Sequence, residues 1–408
     1  MRSQRSSVVR CISYAAMAAV MVVSLGGALY SQTFNTLYNF TGGLDGSNPG
    51  GQPVMDPSGN LYVHGYNGGA HGYGAVDLRK HTSGTLQPLY EFAGGNDGEH
   101  GDIIRASNGS LYGASNYGGG APNCGTIFHL QPSPTIPPTP LSQWNETILY
   151  RFQNGSDGCN PWASPIFDPA DNLDGTTVNG GTANAGTIYQ LVPSGGSWTE
   201  TVLHTFHGGP SDGANPYVGL VSDSSGNLYG VTITGGTYGY GIVFKLSDTG
   251  AGYSILYNFT NGSDGGNPNT ALIVDSTGVL YGTTSTGGTG GGGTVFKLTP
   301  VGGGYSFSVL YNLVGPAGSG PTTGWLSMDA AGNIYGTTVA GGTNQLGSVF
   351  KLTPSGNGYT YTDLHDFTCG SDGCSIYGGV VLDSSGNLYG TASSGGAHND
   401  GVIFEITP

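Results

Sequence analysis

Residues 200–252, ETVLHTFHGGPSDGANPYVGLVSDSSGNLYGVTITGGTYGYGIVFKLSDTGAG, hold the pattern from which nearly the whole chain is cut. The stretch contains four short runs rich in Val, Ile, Leu, Tyr and Phe, each closed by Gly, Asp or Asn, which is the signature of short strands joined by tight turns. Its landmarks recur seven times between Asn35 and Pro408. Seven units of about 50 residues with four strands each fit the arithmetic of a β-propeller. The expected fold class is therefore all-β, a single seven-bladed propeller of four-stranded antiparallel blades over residues 33–408.

The copies align on the turn Asp-x-x-Gly-Asn, complete at residues 56–60, 223–227, 329–333 and 383–387. Taking Gly59, Gly109, Asp171, Gly226, Gly278, Gly332 and Gly386 as equivalent, the spacings are 50, 62, 55, 52, 54 and 54 residues. The longest interval contains QPSPTIPPTPLSQW at residues 131–144, whose prolines cannot join a central strand and mark an extruded loop. Each copy reads as a first strand before the Asp turn, a second opening on Leu-Tyr-Gly, a third such as Thr294-Val295-Phe296, and a fourth such as Leu256-Tyr257-Asn258-Phe259. In the fourth strand the Leu and the terminal aromatic are an odd number apart, which predicts burial on both faces, as between stacked blades. The chain begins the pattern with a lone fourth strand at residues 36–40 and ends it on a third strand at residues 402–407. Pairing of those two strands would close the ring and leave no sheet edge.

Composition agrees. Gly supplies 78 of 408 residues and charged residues only 9%, which without periodicity would suggest disorder. Aromatics at 11%, with 25 Tyr, provide the buried area that a core needs. The formal charge is −15, and without Arg2, Arg5 and Arg10 it leaves 7 basic against 25 acidic residues. Such a body repels phosphate backbones and anionic membrane surfaces, so nucleic acid is excluded as a partner.

Residues 1–28 read as a secretory signal peptide, a basic start followed by an apolar run from Ile12 to Leu25 that is short for a bilayer span. Cleavage is expected after Ala28, with Ser31 as the second choice and an uncleaved anchor as the alternative. Cys11 lies at the start of the apolar run and not after a small-residue lipobox, so no lipoprotein is expected. Export, extracellular or cell-surface residence and no membrane span after signal removal follow.

The combined signature Leu-Tyr-x-Phe, Ser-Asp-Gly-x-Asn-Pro, Asp-x-x-Gly-Asn-Leu-Tyr-Gly-Thr and Gly-Thr-Val-Phe-Lys-Leu-Thr-Pro resembles the bacterial Gloeobacter/Verrucomicrobia (GloVer) tandem repeat. The resemblance covers residues 35–408 and is most specific at residues 224–230 and 293–300. It implies an exported protein, often with a variable surface-sorting tail; here Thr407 and Pro408 directly follow a strand, so anchoring through such a tail is not expected. It implies no biochemical activity.

The loops from fourth to first strand carry Asp-Gly at Asp45, Asp97, Asp157, Asp212, Asp264 and Asp372, with Gly318-Ser319 in the sixth copy. Asp before Gly is a turn former whose carboxylate accepts nearby backbone N–H bonds, and no stretch has the ligand spacing of a calcium loop. Five residues further on stand Trp162, Tyr217 and Tyr377, against Gly50, Asp102 and Asn269 in other copies. These positions vary among otherwise similar blades, so they are free of the shared structural demand. Aromatic rings beside acids suit a sugar, and the expected ligand site comprises Asp157, Trp162, Asp212, Tyr217, Asp372 and Tyr377; plugging of the channel by large side chains is the competing reading. The nine His show no metal spacing and Arg79, Arg105 and Arg151 fall on different strands, so no metal, cofactor or arginine triad is expected. No catalytic elbow motif is present.

Two functions remain open: a monomeric, non-enzymatic module that binds carbohydrate or another extracellular protein, or a polysaccharide-degrading enzyme, hydrolase or lyase, working through paired carboxylates. Cys124, Cys159, Cys369 and Cys374 are even in number and allow three pairings. Loops after the second and fourth strands emerge on the same face, which selects Cys124 with Cys159 and Cys369 with Cys374.

Overall fold

In the repeated Asp turn one side chain organises five residues. Asp56 Oδ1 accepts the backbone N–H of Ser58 and Asn60, both at 2.9 Å, while the Asn60 amide donates to Oδ2. Gly59 lies at φ 78°, the left-handed region; the third copy places Asp171 there at φ 63°, a residue whose short polar side chain tolerates that conformation. Such turns join strands of two to nine residues into seven blade sheets, beside which Gly213–Ala214 and Thr234–Gly235 form a separate two-stranded pair. The structure, a computed structural model, describes residues 32–97, 102–133, 144–314, 319–321, 325–356 and 358–407. The stretch expected to be a signal peptide and most of the proline-rich loop lie outside the described residues, as does Gly318.

The sheets form a seven-bladed propeller of four-stranded antiparallel blades. In blade 5, for instance, Ile273–Val274 pairs with Leu280–Thr286, which pairs with Thr294–Val301, which pairs with Gly304–Asn312. The seventh blade is composite. Thr33–Asn39 runs antiparallel to Val402–Thr407, with Thr33 opposite Thr407 and Asn39 opposite Val402, and so supplies the outer strand of the sheet ending the chain.

The odd spacing in the fourth strand has a more specific cause than burial on two faces. In every blade the ladder between third and fourth strands slips by one residue at the Leu, as between Thr36 and Tyr38 or Ile148 and Tyr150. The bulge resets the pleat, so the following aromatic faces the core: Phe40, Phe92, Phe206, Phe259 and Phe367 are all fully buried. Third-strand aromatics such as Phe244 and Phe404 join them between neighbouring blades.

The innermost strand is interrupted. In blade 1, Leu61–Asn67 pairs with Ser47–Pro49 and again with Val54–Met55, leaving residues 50–53 out of the ladder. Blades 5 and 6 repeat this with Gly266–Pro268 and Ile273–Val274, and with Ser319–Pro321 and Ser327–Met328. The freed segments meet at the axis. Gln52 donates to Val380 O at 2.6 Å and to Ser327 Oγ at 3.1 Å, and Thr176, Thr337 and Thr391 each donate to a carbonyl in the inner segment of the next blade.

Two disulfides are present. Cys124–Cys159 spans Cα atoms 4.6 Å apart and Cys369–Cys374 spans 4.7 Å, the pairings expected from topology. They point to an oxidising, extracellular environment. Among the described residues no helix is long and apolar enough to cross a membrane.

Candidate functional site

The loop aspartates are engaged within their own loops. Asp157 accepts from Tyr150 Oη, from Gln153 N and from Gly155 N. Asp372 accepts from Thr368 N, Thr368 Oγ1 and Gly370 N and lies 3.2 Å from His365 Nε2. Burial alone would raise the Asp212 carboxyl, yet bonds from His204, Tyr253 and His207 N hold it at about 2. The acceptors of all three are satisfied by donors from the fourth strand and the loop. The Tyr or His of that strand is the partner of the loop acid in the next segment, a pairing visible in sequence as Leu-Tyr-x-Phe or Leu-His-x-Phe with Asp seven residues after Tyr150 and His365 and eight after His204.

The three aromatics behave differently. Trp162, Tyr217 and Tyr377 sit in the interruptions of the innermost strands of blades 3, 4 and 7 and line one recess of about 440 Å³, with Asn48, Tyr66 and Asn67 of blade 1 and Ser393 and Ser394 of blade 7. The rings of Trp162 and Tyr217 approach to 4.7 Å with a tilt of 39°, and Tyr377 is 43% exposed. Three of the six expected residues thus share one bowl; Asp157, Asp212 and Asp372 are not among its lining residues.

Sequence reasoning missed Tyr66. Blade 1 has Gly50 at the position of the other aromatics, and a Cβ there would lie 1.7 Å from the Tyr66 ring. The glycine makes room for an aromatic delivered from the second strand, so the bowl has a ring from blade 1 as well. The signal was present: where Tyr66 stands, the other second strands carry Asn116, Val178, Ile233, Ser285, Val339 and Ser393.

Beneath the four rings the channel narrows to a throat with about 10 Å³ of free space, lined also by Gly51, Gln52, Asp102, Val218, Gly219, Trp325 and Gly378. A second cavity of about 140 Å³ continues past Gln52, Asp102 and Trp325. Asp102 is blade 2's residue at the aromatic position. Its carboxyl is pushed up to about 7 by burial, and it accepts no hydrogen bond from the described residues. His64 Nε2 lies 3.4 Å away, buried and without a hydrogen-bond partner, and burial lowers that imidazole to about 4. Tyr66 is raised above its ordinary range by burial and by the fields of Asp102, Tyr217 and Tyr377, which line the same throat. Gly51 is again the enabling residue, since its Cβ would meet Asp102 Oδ1 and His64 Cε1, each at 2.3 Å.

The opposite face carries a wider cleft of about 690 Å³ between blades 1, 2 and 7, lined by Asp56, His81, Arg105, Asp383 and Tyr389. Its aspartates serve the repeated turns, and its arginine lies beside Asp56. Among the described residues no group of His, Cys, Asp and Glu has the geometry of a metal centre.

The sequence matches the profile of the Gloeobacter/Verrucomicrobia repeat over residues 135–244 and 220–408. The chain belongs to this repeat family. No curated protein sequence matches it significantly. Similar solved structures include an ulvan lyase from a family of polysaccharide lyases, 11% identical over 89% of this chain and 94% of that one, with a TM-score of 0.50. A gluconolactonase from Xanthomonas campestris is 12% identical over 93% and 90% of the two chains, with a TM-score of 0.42, and a protein of unknown function from Dyadobacter fermentans is 10% identical over 91% and 96%, at 0.43. At such identities the likeness is one of propeller fold, which hosts many chemistries. Within the repeat family it is departures from the repeat that single out Tyr66, Asp102, Trp162, Tyr217 and Tyr377.

Proposed function

We propose that this GloVer repeat protein is an exported carbohydrate-binding module and that the bowl at the channel mouth is its ligand site. The observation that carries the reading is the convergence of Tyr66, Trp162, Tyr217 and Tyr377 from four blades on one solvent-open recess of about 440 Å³. Sugars offer an apolar C–H face to aromatic rings and hydroxyls to polar neighbours, here Asn48, Asn67 and Ser394. The basic, apolar start of the chain and the two disulfides support export. The alternative of a paired-carboxylate polysaccharide enzyme needs two acids at the reacting centre. Among the described residues lining the bowl and throat Asp102 is the sole carboxylate.

A glycan and peptidoglycan-fragment array, with products followed on every hit, tests the reading. Saturable binding without turnover, weakened about 10-fold or more by Trp162→Ala, is expected. Turnover of a hit, or binding indifferent to Trp162, Tyr217 and Tyr377, would refute it.

A further inference from the structure

The throat beneath the bowl has a chemistry that a neutral sugar site does not need. Asp102 stands where three other blades place an aromatic and lines the throat, and His64 Nε2 is buried 3.4 Å behind Oδ1. Asp102 is 20% exposed there, so its carboxylate at the foot of an aromatic bowl offers an acceptor to a donor from outside the chain. No Lys or Arg lines the bowl, the throat or the cavity below among the described residues. Four electron-rich ring faces surround the opening, and the whole chain carries a net charge of −15. All three features favour a cation: a carboxylate pairs with it, aromatic faces attract it, and the acidic body steers it in. The same features disfavour uronic acids and sulfated sugars. Size narrows the class further. Free space of about 10 Å³ suits one water-sized group, which admits a primary ammonium and excludes an acetamido or trimethylammonium group.

We propose that the bowl recognises an amino sugar with a free amine, its ring stacked on the aromatic rim and its ammonium set in the throat on Asp102. This rests on the carbohydrate reading above and names the sugar class.

The test compares three β-1,4-linked oligosaccharides of equal length by calorimetric titration of the full exported chain near neutral pH: glucosamine, N-acetylglucosamine and glucose. Expected is about 10- to 100-fold tighter binding of the glucosamine oligomer, the value of one charge-assisted hydrogen bond. Asp102→Asn should reduce it to the level of the neutral oligomers. Gly51→Ala, whose methyl would occupy the throat, should do the same, and unaltered far-UV dichroism and melting confirm that each variant is folded. Equal binding of the acetylated or glucose oligomer, or full retention of selectivity in Asp102→Asn, overturns the amino-sugar assignment and leaves the bowl as a general sugar site. Absence of binding by all three overturns the assignment; if the wider array is also silent, the carbohydrate reading falls with it.

Discussion

Asp77 is the residue most at odds with its surroundings. In six blades the third strand places an aromatic over a second-strand glycine, as Phe404 does over Gly390, where a Cβ would be 2.3 Å from the ring. Blade 1 has Asp77 opposite Val63, so the valine fills the volume that the missing ring leaves. The carboxyl is fully buried, neither oxygen has a partner, and burial followed by the fields of Asp45 and Glu91 pushes it well above the ordinary carboxylate value. A raised folded-state value means that the native state holds a proton which the unfolded chain releases, so stability falls as pH climbs from the ordinary value of 3.8 towards the folded one. Restoring the repeat with Val63→Gly and Asp77→Phe together should raise stability by about 2 kcal/mol and flatten that decline, read from thermal melts across weakly acidic to neutral pH. Asp102 obeys the same sign in a narrower window. Its stabilising proton is fully held below 3.8 and lost as pH rises through about 7, whereas His64, at about 4, is neutral over most of that range. Tyr66, Tyr217 and Tyr377 also face it, and burial keeps the first two above the ordinary tyrosine value. Asp102→Asn should therefore be more stable than wild type above neutrality by about 2 to 4 kcal/mol, since a shift of one unit is about 1.4 kcal/mol. Equal stability of the two proteins at alkaline pH would show the carboxylate to be well solvated.

At the scale of strands and loops, regularity was legible and exceptions were less so. Strand order, the Asp turns and both disulfides follow from landmarks that repeat, because each blade must solve the same local problem of closing a tight turn and covering a neighbour. The bulge at Leu256 and its equivalents appears in sequence only as an odd spacing, which a two-sided strand would also explain. Trp162, Tyr217 and Tyr377 were legible as variable positions in a fixed frame. Tyr66 was not, since it reaches the bowl from a different strand, across Gly50, and that compensation needs coordinates to be seen. The loop acids give a direct separation of structure from binding. Asp157→Ala strands the donors of Gln153, Gly155 and Tyr150 and should cost about 1 to 3 kcal/mol in urea unfolding, with glycan affinity unchanged. A loss of affinity at full stability would return Asp157 to the ligand site. Cys124 and Cys159 are 35 positions apart, and on the chain-entropy model that crosslink contributes about 3 to 4 kcal/mol. Cys369–Cys374 closes a loop with a separation of 5, so its removal should shift the melting temperature much less.

The whole molecule is held together by one ladder. Seven adjacent blades bury their faces against each other, and the ring closes where Thr33–Asn39 pairs with Val402–Thr407. Phe34 stacks on Phe404 at 5.5 Å and on His365 at 3.9 Å, tying the closing strand to blades 7 and 6. Removing residues 29–42 should expose the edge of the last strand and lower the melting temperature by roughly 10 °C or more. Closure also fixes the bowl, because its rings come from blades 7, 1, 3 and 4 with Asp102 of blade 2 between them, and blades 7 and 1 meet where the ring closes, where Thr391 also donates to Gly51 O and Asn48 to Ser393 O. The most direct test of the account is a crystal structure of the protein soaked with the oligosaccharide that binds best. It should show a sugar ring stacked on Trp162 and Tyr217 with its nitrogen on Asp102. Sugar density in the cleft of Asp56, His81 and Arg105 on the opposite face, with the bowl empty, would contradict it.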